Sequence, residues 1–433
     1  MPRLLLLSTT TGYQLRSFGD AAEELGIELV FATDRCHSLD DPWRDGAVAV
    51  RFHEEDDSLD AVLRVAAERP LDGVLAVGDR PVVLAARVAR ALGLRGHSPD
   101  AARASANKRL ARERFARAGL PAPRFLHLTT NDDVTRVSGG LDYPVVIKPI
   151  GLSGSRGVIR ADDEGGLRSA FQRVSALLAR GEIRAQRTGL ERDLLIETFI
   201  PGREYAIEGL LTGGRLQPLA LFDKPDPLDG PFFEETIYVT PSAALPGEQQ
   251  AIFDAVQRAA TALDLWHGPI HAECRVNAQG VYVLEVAARP IGGLCSRVLR
   301  FAQRDAPPTG GPEGAGRPLS LEHVLLRHAL GEDVADVRRE PGGAAVMMIP
   351  IPRRGVFRGV AGEDDARRIP LVEELVITAR QDQRLERLPE AGSYLGFIFA
   401  RAGRAGEAES AVRQAQARLR FTIETPIDLV VKT

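Results

Sequence analysis

Cysteine is scarce in this chain of 433 residues. The three present, Cys36, Cys274 and Cys295, lie far apart and form no Cys-x-x-Cys pair. A disulfide framework and a cysteine-built zinc site are excluded, and a reducing, cytoplasmic setting is expected. Long apolar runs are missing too. The longest near the start, Leu4 to Leu7, is too short for a signal-peptide core or a membrane span. An excess of positive charge is also absent: 55 basic against 59 acidic residues leave a net charge of −4. No basic field is available to attract nucleic acid or an anionic membrane surface.

The most pointed shortage is lysine. Of the 55 basic residues only four are lysine, Lys108, Lys148, Lys224 and Lys432, and the other 51 are arginine. Arginine is a rigid fork that is always charged, whereas lysine is a compact point charge. A chain that has exchanged lysine for arginine wherever either cation serves keeps lysine where only the point charge works. Lys432 sits in the tail; the other three fall in segments with chemical character.

What is present is ordinary for a globular protein: 44% apolar and 26% charged residues. The length suffices for two to four domains. Residues 1–100 read as a β-α-β domain. Strands are predicted at Leu4–Leu7, Ile27–Phe31 and Leu71–Val77, and helices at Phe18–Leu25, Leu59–Ala67 and Val82–Leu92. Short apolar strands alternating with helices specify a parallel sheet. Residues 101–300 read as mixed α/β and α+β with antiparallel sheet. A basic helix is expected at Asn107–Ala118, a strand carrying Lys148 at 144–149, and a glycine loop at 151–157. A hairpin turning at Gly213-Gly214 and a second one over 269–289 follow. Residues 301–318, with Pro-Pro, Gly-Gly and Gly-Pro steps, read as an exposed, mobile loop. Residues 319–433 read as a C-terminal α+β domain. Trp43, Trp266 and Tyr238 are expected in the core or a pocket wall.

The second hairpin carries the sharpest signal. A three-residue loop Ala278-Gln279-Gly280 sets Asn277 opposite Val281, so Glu273 falls opposite Glu285 and His271 opposite Ala287. Alternation puts Ile270, Ala272, Cys274 and Val276 on one face with Tyr282, Leu284 and Val286, and His271, Glu273, Arg275 and Glu285 on the other. Two opposed carboxylates repel. A cation between them is the preferred reading, and hard oxygen ligands suit Mg²⁺ shared with nucleotide phosphates. A screened, solvated face and a proton-sharing acid pair are the alternatives.

The loop Gly151-Leu-Ser153-Gly154-Ser155-Arg-Gly157 follows the Lys148 strand directly. Its glycines let backbone N–H groups wrap a phosphate, yet no Gly-Lys-Ser or Gly-x-Gly-x-x-Gly occurs, so the usual P-loop and dinucleotide motifs are excluded. The strand at Leu194–Phe199 runs into a turn with acids at Glu197 and Glu204.

In this order, Lys108, Lys148 with its glycine loop, Glu197 to Glu204, then Glu273 and Glu285 resemble the ATP-grasp superfamily over about residues 107–300. The segments Gly268-Pro-Ile-His271-Ala-Glu273 and Glu285-Val-Ala-Ala-Arg289-Pro-Ile-Gly292-Gly293 are similar to those of its L-amino acid ligase group. Asp223-Lys224-Pro with Glu234-Glu235-Thr236 resembles that group's substrate-side loop, and 344–352 with 396–401 its C-terminal domain. The resemblance implies an ATP-dependent carboxylate–amine ligase, ADP-forming, joining two amino acids through an acyl phosphate. Lys108 and Lys148 would hold the phosphates, with Gly151, Ser153, Gly154, Ser155 and Gly157 in a lid spanning about 143–200. Glu197 and the Thr198, Phe199 and Ile200 backbone would face adenine, and Glu204 the ribose. Glu273 and Glu285 would ligate one or two Mg²⁺ ions, or Mn²⁺. Arg289 would neutralise the acyl phosphate and its tetrahedral adduct, with His271 and Lys224 on the substrate side. The chain departs from many relatives at Ala287, where an asparagine would supply a third oxygen. A ligase for another small carboxylate, or a nucleotide-binding regulator without ligation, are the rival readings. Nothing in the sequence excludes a homodimer.

Overall fold

The computed structural model describes residues 1–9, 14–34, 47–303 and 318–425. The loop expected at 301–318 lies outside these residues except at its ends, as do Cys36, Trp43 and Lys432. The chain divides into two compact units. One comprises Met1–Pro123, Gly202–Leu221 and Ala244–Pro341; the other comprises Arg124–Pro201, Phe222–Ala243 and Gly342–Thr433.

The first unit opens with the expected parallel sheet, in the order Ala47–Ala49, Glu28–Thr33, Arg3–Ser8, Gly73–Val77. The central strand is buried on both faces, which is why Leu4 to Leu7 is an unbroken apolar run. Helices Leu15–Leu25, Glu55–Glu68 and Val82–Leu92 flank it. A helix at Pro99–Ser105 was not anticipated, although its signal is present. Ser98 caps it by accepting the Ala101 N–H at 3.1 Å, and Pro99 fills a first-turn position that needs no donor.

The same unit holds the strands Gly280–Ala287, Gly268–Asn277 and Arg203–Thr212, adjacent in that order and antiparallel. Their apolar face (Ile270, Ala272, Cys274, Val283 and Val286 with Tyr205 and Ile207) packs on helices Lys108–Arg117 and Pro246–Ala262 through Ala111, Phe115, Ile252, Val256 and Ala259. Trp266 is not core: it is 59% exposed and lies over the Gly213-Gly214 turn, where a Cβ on Gly214 would come within 3.2 Å of its ring.

The hairpin corrects the expected turn. Asn277 faces Gly280, so the loop has two residues rather than three, and a β-bulge between Glu273 and Cys274 restores the count. The expected pairs Glu273–Glu285 and His271–Ala287 therefore form. Between the turn and the bulge the faces are exchanged on the second strand. Val281 and Val283, not Tyr282 and Leu284, join Cys274 and Val276 in the core.

In the second unit a four-stranded antiparallel sheet runs Phe125–Thr129, Asp193–Thr198, Val145–Pro149, Ile159–Ala161. Helix Glu164–Leu178 covers one face, against Val145, Ile147, Leu194 and Ile196. Elsewhere in this unit Ile237–Thr240, Gly343–Ile349, Gly396–Ala402 and Val372–Ile377 form antiparallel neighbours under helix Ala405–Gln416. Gly355–Ala361, Val372–Ile377 and Arg420–Glu424 are strands the sequence reading did not place.

Candidate active-site residues

In the first unit the polar face of three strands gathers the expected acids. His271 lies opposite Glu208 and Ala287, Glu273 opposite Ala206 and Glu285, and Arg275 opposite Glu204. Gly202 allows this close approach: its φ is +125°, and a Cβ there would meet the Val276 carbonyl oxygen at 2.2 Å. Arg275 Nε donates to Glu204 Oε2 at 2.8 Å. Glu204 and Glu273 place carboxylate oxygens within 4.8 Å of each other. Glu204, assigned to a ribose by resemblance, thus stands beside an expected metal ligand.

Lys108 opens its helix, where Asn107 caps by accepting the Arg109 and Leu110 N–H groups at 3.1 Å. A cation at a helix N-terminus opposes the helix dipole and calls for an anion. Here that anion is Glu285, whose Oε2 is 3.5 Å from Lys108 Nζ. Glu273 and Glu285 are part-exposed, at 27% and 28%. Opposed carboxylates with oxygen-only donors fit a hard divalent cation that keeps positions for phosphate and water. Ala287 adds no ligand.

His271 is buried and bridges two acids, with Nδ1 3.2 Å from Glu208 Oε2 and Nε2 3.8 Å from Glu273 Oε1. Burial alone would lower its pKa; the bonds to Glu208 and Glu273 outweigh this and raise it. Burial raises that of Glu208, so the pair favours holding a proton. Glu208 also accepts the Ile291 N–H at 3.0 Å, tying the loop beyond Arg289 to this strand. Arg289 does not lie free: Asp79 receives Nε at 2.8 Å and Nη2 at 3.4 Å. Its pKa rises despite burial because Asp79, then Glu285 and Glu208, favour the cation.

In the second unit Lys148 and Glu197 share one face of the sheet, with Nζ–Oε2 at 2.5 Å and Glu197 only 3% exposed. The same face carries an apolar cluster of Val146, Leu228 and Phe233 packed with Val158 and Phe199. Arg160 sits over the Phe199 ring at 4.4 Å. An apolar cluster beside a lysine has the chemistry that a purine next to phosphates calls for. The amides of Thr198 and Phe199 donate to the Arg124 and Pro144 carbonyls, so the adenine edge expected from this backbone does not use those two donors. Ile200 is the second residue beyond the end of that strand at Thr198.

Gly151, Ser153, Gly154 and Ser155 lie in an irregular loop, with Gly154 and Ser155 both at positive φ. Gly157 closes it: its N–H donates to the Pro389 carbonyl at 2.8 Å, and a Cβ would strike Pro149 at 2.6 Å. That amide is engaged within the protein. Lys224 is buried and bonds Glu235, which also accepts the Tyr238 hydroxyl at 2.9 Å.

Sequence reasoning missed Glu208, Asp79 and Glu235 as partners of its named residues. Asp79 had a signal, as the acid closing a strand after Gly78, and Glu235 stood in the quoted loop. Glu208 reads only as part of a strand.

Three family models match the chain: an ATP-grasp N-terminal domain at residues 19–96, an ATP-grasp domain at 141–298 and the L-amino acid ligase C-terminal domain 2 at 347–424. Among solved structures, the L-amino acid ligase from Bacillus licheniformis superposes with a TM-score of 0.80 at 26% identity, covering 98% of this chain and 99% of that one. The alanine–anticapsin ligase of Bacillus subtilis is 26% identical over 55% of this chain and 52% of its own length. Dapdiamide A synthase of Enterobacter agglomerans is 27% identical over 43% of each. The matched stretch thus spans about half or less of those two relatives. On its fold, its order of domains and these likenesses, the chain belongs to the ATP-grasp superfamily and is similar to the L-amino acid ligases.

Proposed function

We propose that the protein is an ATP-dependent, ADP-forming carboxylate–amine ligase that joins two amino acids. The observation that carries this reading is the opposition of Glu273 and Glu285 on one polar face, with Lys108 beside them. Lys148 holds the nucleotide phosphates as a point charge, the Phe199–Phe233 wall receives the base, and the loop 151–157 covers the phosphates. Glu204 takes the ribose. Glu273 and Glu285 would hold Mg²⁺, which supplies neutralisation of phosphate charge during transfer.

The γ-phosphoryl group passes to the carboxylate oxygen of one amino acid, breaking its bond to the β-phosphate oxygen and releasing ADP. The amine of the second amino acid attacks the acyl carbon. Its surplus proton passes to solvent, phosphate leaves with the electrons of the acyl C–O bond, and an amide remains. Arg289, held by Asp79, neutralises charge on the acyl phosphate and its tetrahedral adduct. His271 and Lys224 orient the substrates. The domains of this reading are 1–100, 101–300 with the lid at about 143–200, and 319–433, in a cytoplasmic enzyme.

Incubation with ATP, Mg²⁺ and pairs of amino acids, with ADP and amide quantified together, tests it. Equal yields of ADP and amide, requiring both amino acids, are expected. ADP release that ignores the added amino acids, or none with any pair, would contradict it.

A further inference from the structure

The two ends of the carboxylate hairpin are out of step by one residue. From Asn277 opposite Gly280 to Cys274 opposite Val283 the ladder is regular. Continued without interruption, it would set Leu284 opposite Glu273 and Glu285 opposite Ala272. Alternation would then turn Glu285 towards the core face that Ala272 occupies. Instead Leu284 is the extra residue of the bulge, and Glu285 lies opposite Glu273. The carboxylate pair exists because of that single insertion.

A bulge leaves its extra residue outside the ladder. The Leu284 carbonyl accepts from Arg112 Nη2 at 2.7 Å. Arg112 is 1% exposed and heads the largest fully buried side chains among the described residues. Burying a guanidinium costs free energy unless it is bonded, so its place among Ala111, Phe115 and the hairpin core is not explained by packing. One turn earlier on the same helix, Lys108 stands 3.5 Å from the Glu285 carboxylate. Residues four apart share a helix face. One face of Lys108–Arg117 therefore grips the bulge carbonyl and the carboxylate of the next residue.

We propose that Arg112 is a positioning residue that fixes the β-bulge at Leu284 and thereby holds Glu285 beside Glu273 as a ligand pair for a divalent cation. The inference rests on reading Glu273 and Glu285 as metal ligands, and its test separates the two. Binding of Mn²⁺ alone to the full chain is followed by the electron paramagnetic resonance of the free ion. The wild type, Glu285→Gln and Arg112→Met are compared at a temperature where each is folded. The wild type is expected to bind, and Glu285→Gln to lose binding. Arg112→Met should bind about 10- to 100-fold more weakly, the range for groups that orient metal ligands. ADP affinity without metal should be unchanged in Arg112→Met.

Mn²⁺ affinity in Arg112→Met equal to wild type, with binding lost in Glu285→Gln, would overturn the inference. Binding unchanged in Glu285→Gln would instead defeat the metal reading. Should the methionine variant not fold, Arg112→Gln, whose shorter amide falls short of the carbonyl, takes its place with the same two outcomes. Deleting Leu284 removes the bulge yet leaves Glu285 opposite Glu273. In that background Arg112→Met should leave Mn²⁺ affinity unchanged; the same loss as in the full-length hairpin would show that Arg112 acts through packing alone.

Discussion

Each unit pairs lysine with glutamate, but the surroundings differ. In the second unit Lys148–Glu197 and Lys224–Glu235 are largely buried, and Glu197 is almost without solvent. In the first unit Lys108 meets Glu285 with a quarter of the acid exposed, and arginines rather than lysines secure Glu204 and Asp79. All three lysines outside the tail thus face a glutamate of their own unit, while arginine does the fastening. The lesson is that the same charge pair carries different weight by location. A buried pair is costly to break because the survivor is stranded, whereas a part-exposed pair is cheap to break and so is free to serve a ligand.

That contrast is broken most forcefully at Lys148. Lys148→Met should lower turnover by at least about 10²-fold, the scale for losing a charge-stabilising donor. It should also destabilise the second unit by about 3–5 kcal/mol, because Glu197 is left buried and uncompensated. Lys148→Arg should keep the charge yet remain inactive, since a fork does not replace a point charge in a tight site. Steady-state kinetics with urea unfolding checks both, and full activity in the arginine variant would refute the lysine argument.

Glu285→Gln supplies the opposite half of the comparison. Turnover should fall about as far, while stability changes by no more than about 1 kcal/mol, as for an exposed pair. A large stability loss would show that Lys108–Glu285 is a structural clasp. Smaller in effect is His271→Ala. Through Glu273 it should lower turnover by about 10- to 100-fold with nucleotide binding retained. A less stable protein whose folded fraction turns over normally would reduce His271 to a sheet residue.

The smallest effect is expected from acid. His97, whose Nδ1 accepts the Trp266 N–H, is pushed down to about 4, and His328, stacked on His267 at 4.1 Å, to about 3, both chiefly by burial. The unfolded chain binds these protons from its ordinary value of 6.5 downward. The first unit is therefore fully stable above about pH 6.5 and loses stability progressively as pH falls towards 4. Urea midpoints at about pH 7.5 and about pH 5 measure the difference, which His97→Gln with His328→Gln should reduce. An unchanged midpoint in the native chain would contradict this.

Local pattern made much of this legible. Helix Val82–Leu92 falls where its apolar period and terminal glycine place it, and the carboxylate pair follows from alternation. The pair was reached through a turn counted one residue too long, and the bulge at Leu284 cancels that error in the structure. A bulge has no mark in the strand itself; the side chain that bonds its carbonyl, Arg112, stands 172 residues away. The partners of Arg289 and His271 were hidden for the same reason, standing 210 and 63 residues off. Trp266 was misplaced because its support is a glycine turn, which offers nothing to hydrophobic pattern.

The central claim is that a carboxylate is activated by phosphorylation. Its most direct test uses the amino acid pair giving the fastest ADP release, with both carboxylate oxygens of the acid partner labelled with ¹⁸O. An acyl phosphate hands one labelled oxygen to the phosphate released alongside ADP. Unlabelled phosphate, or label appearing in AMP, would contradict the account.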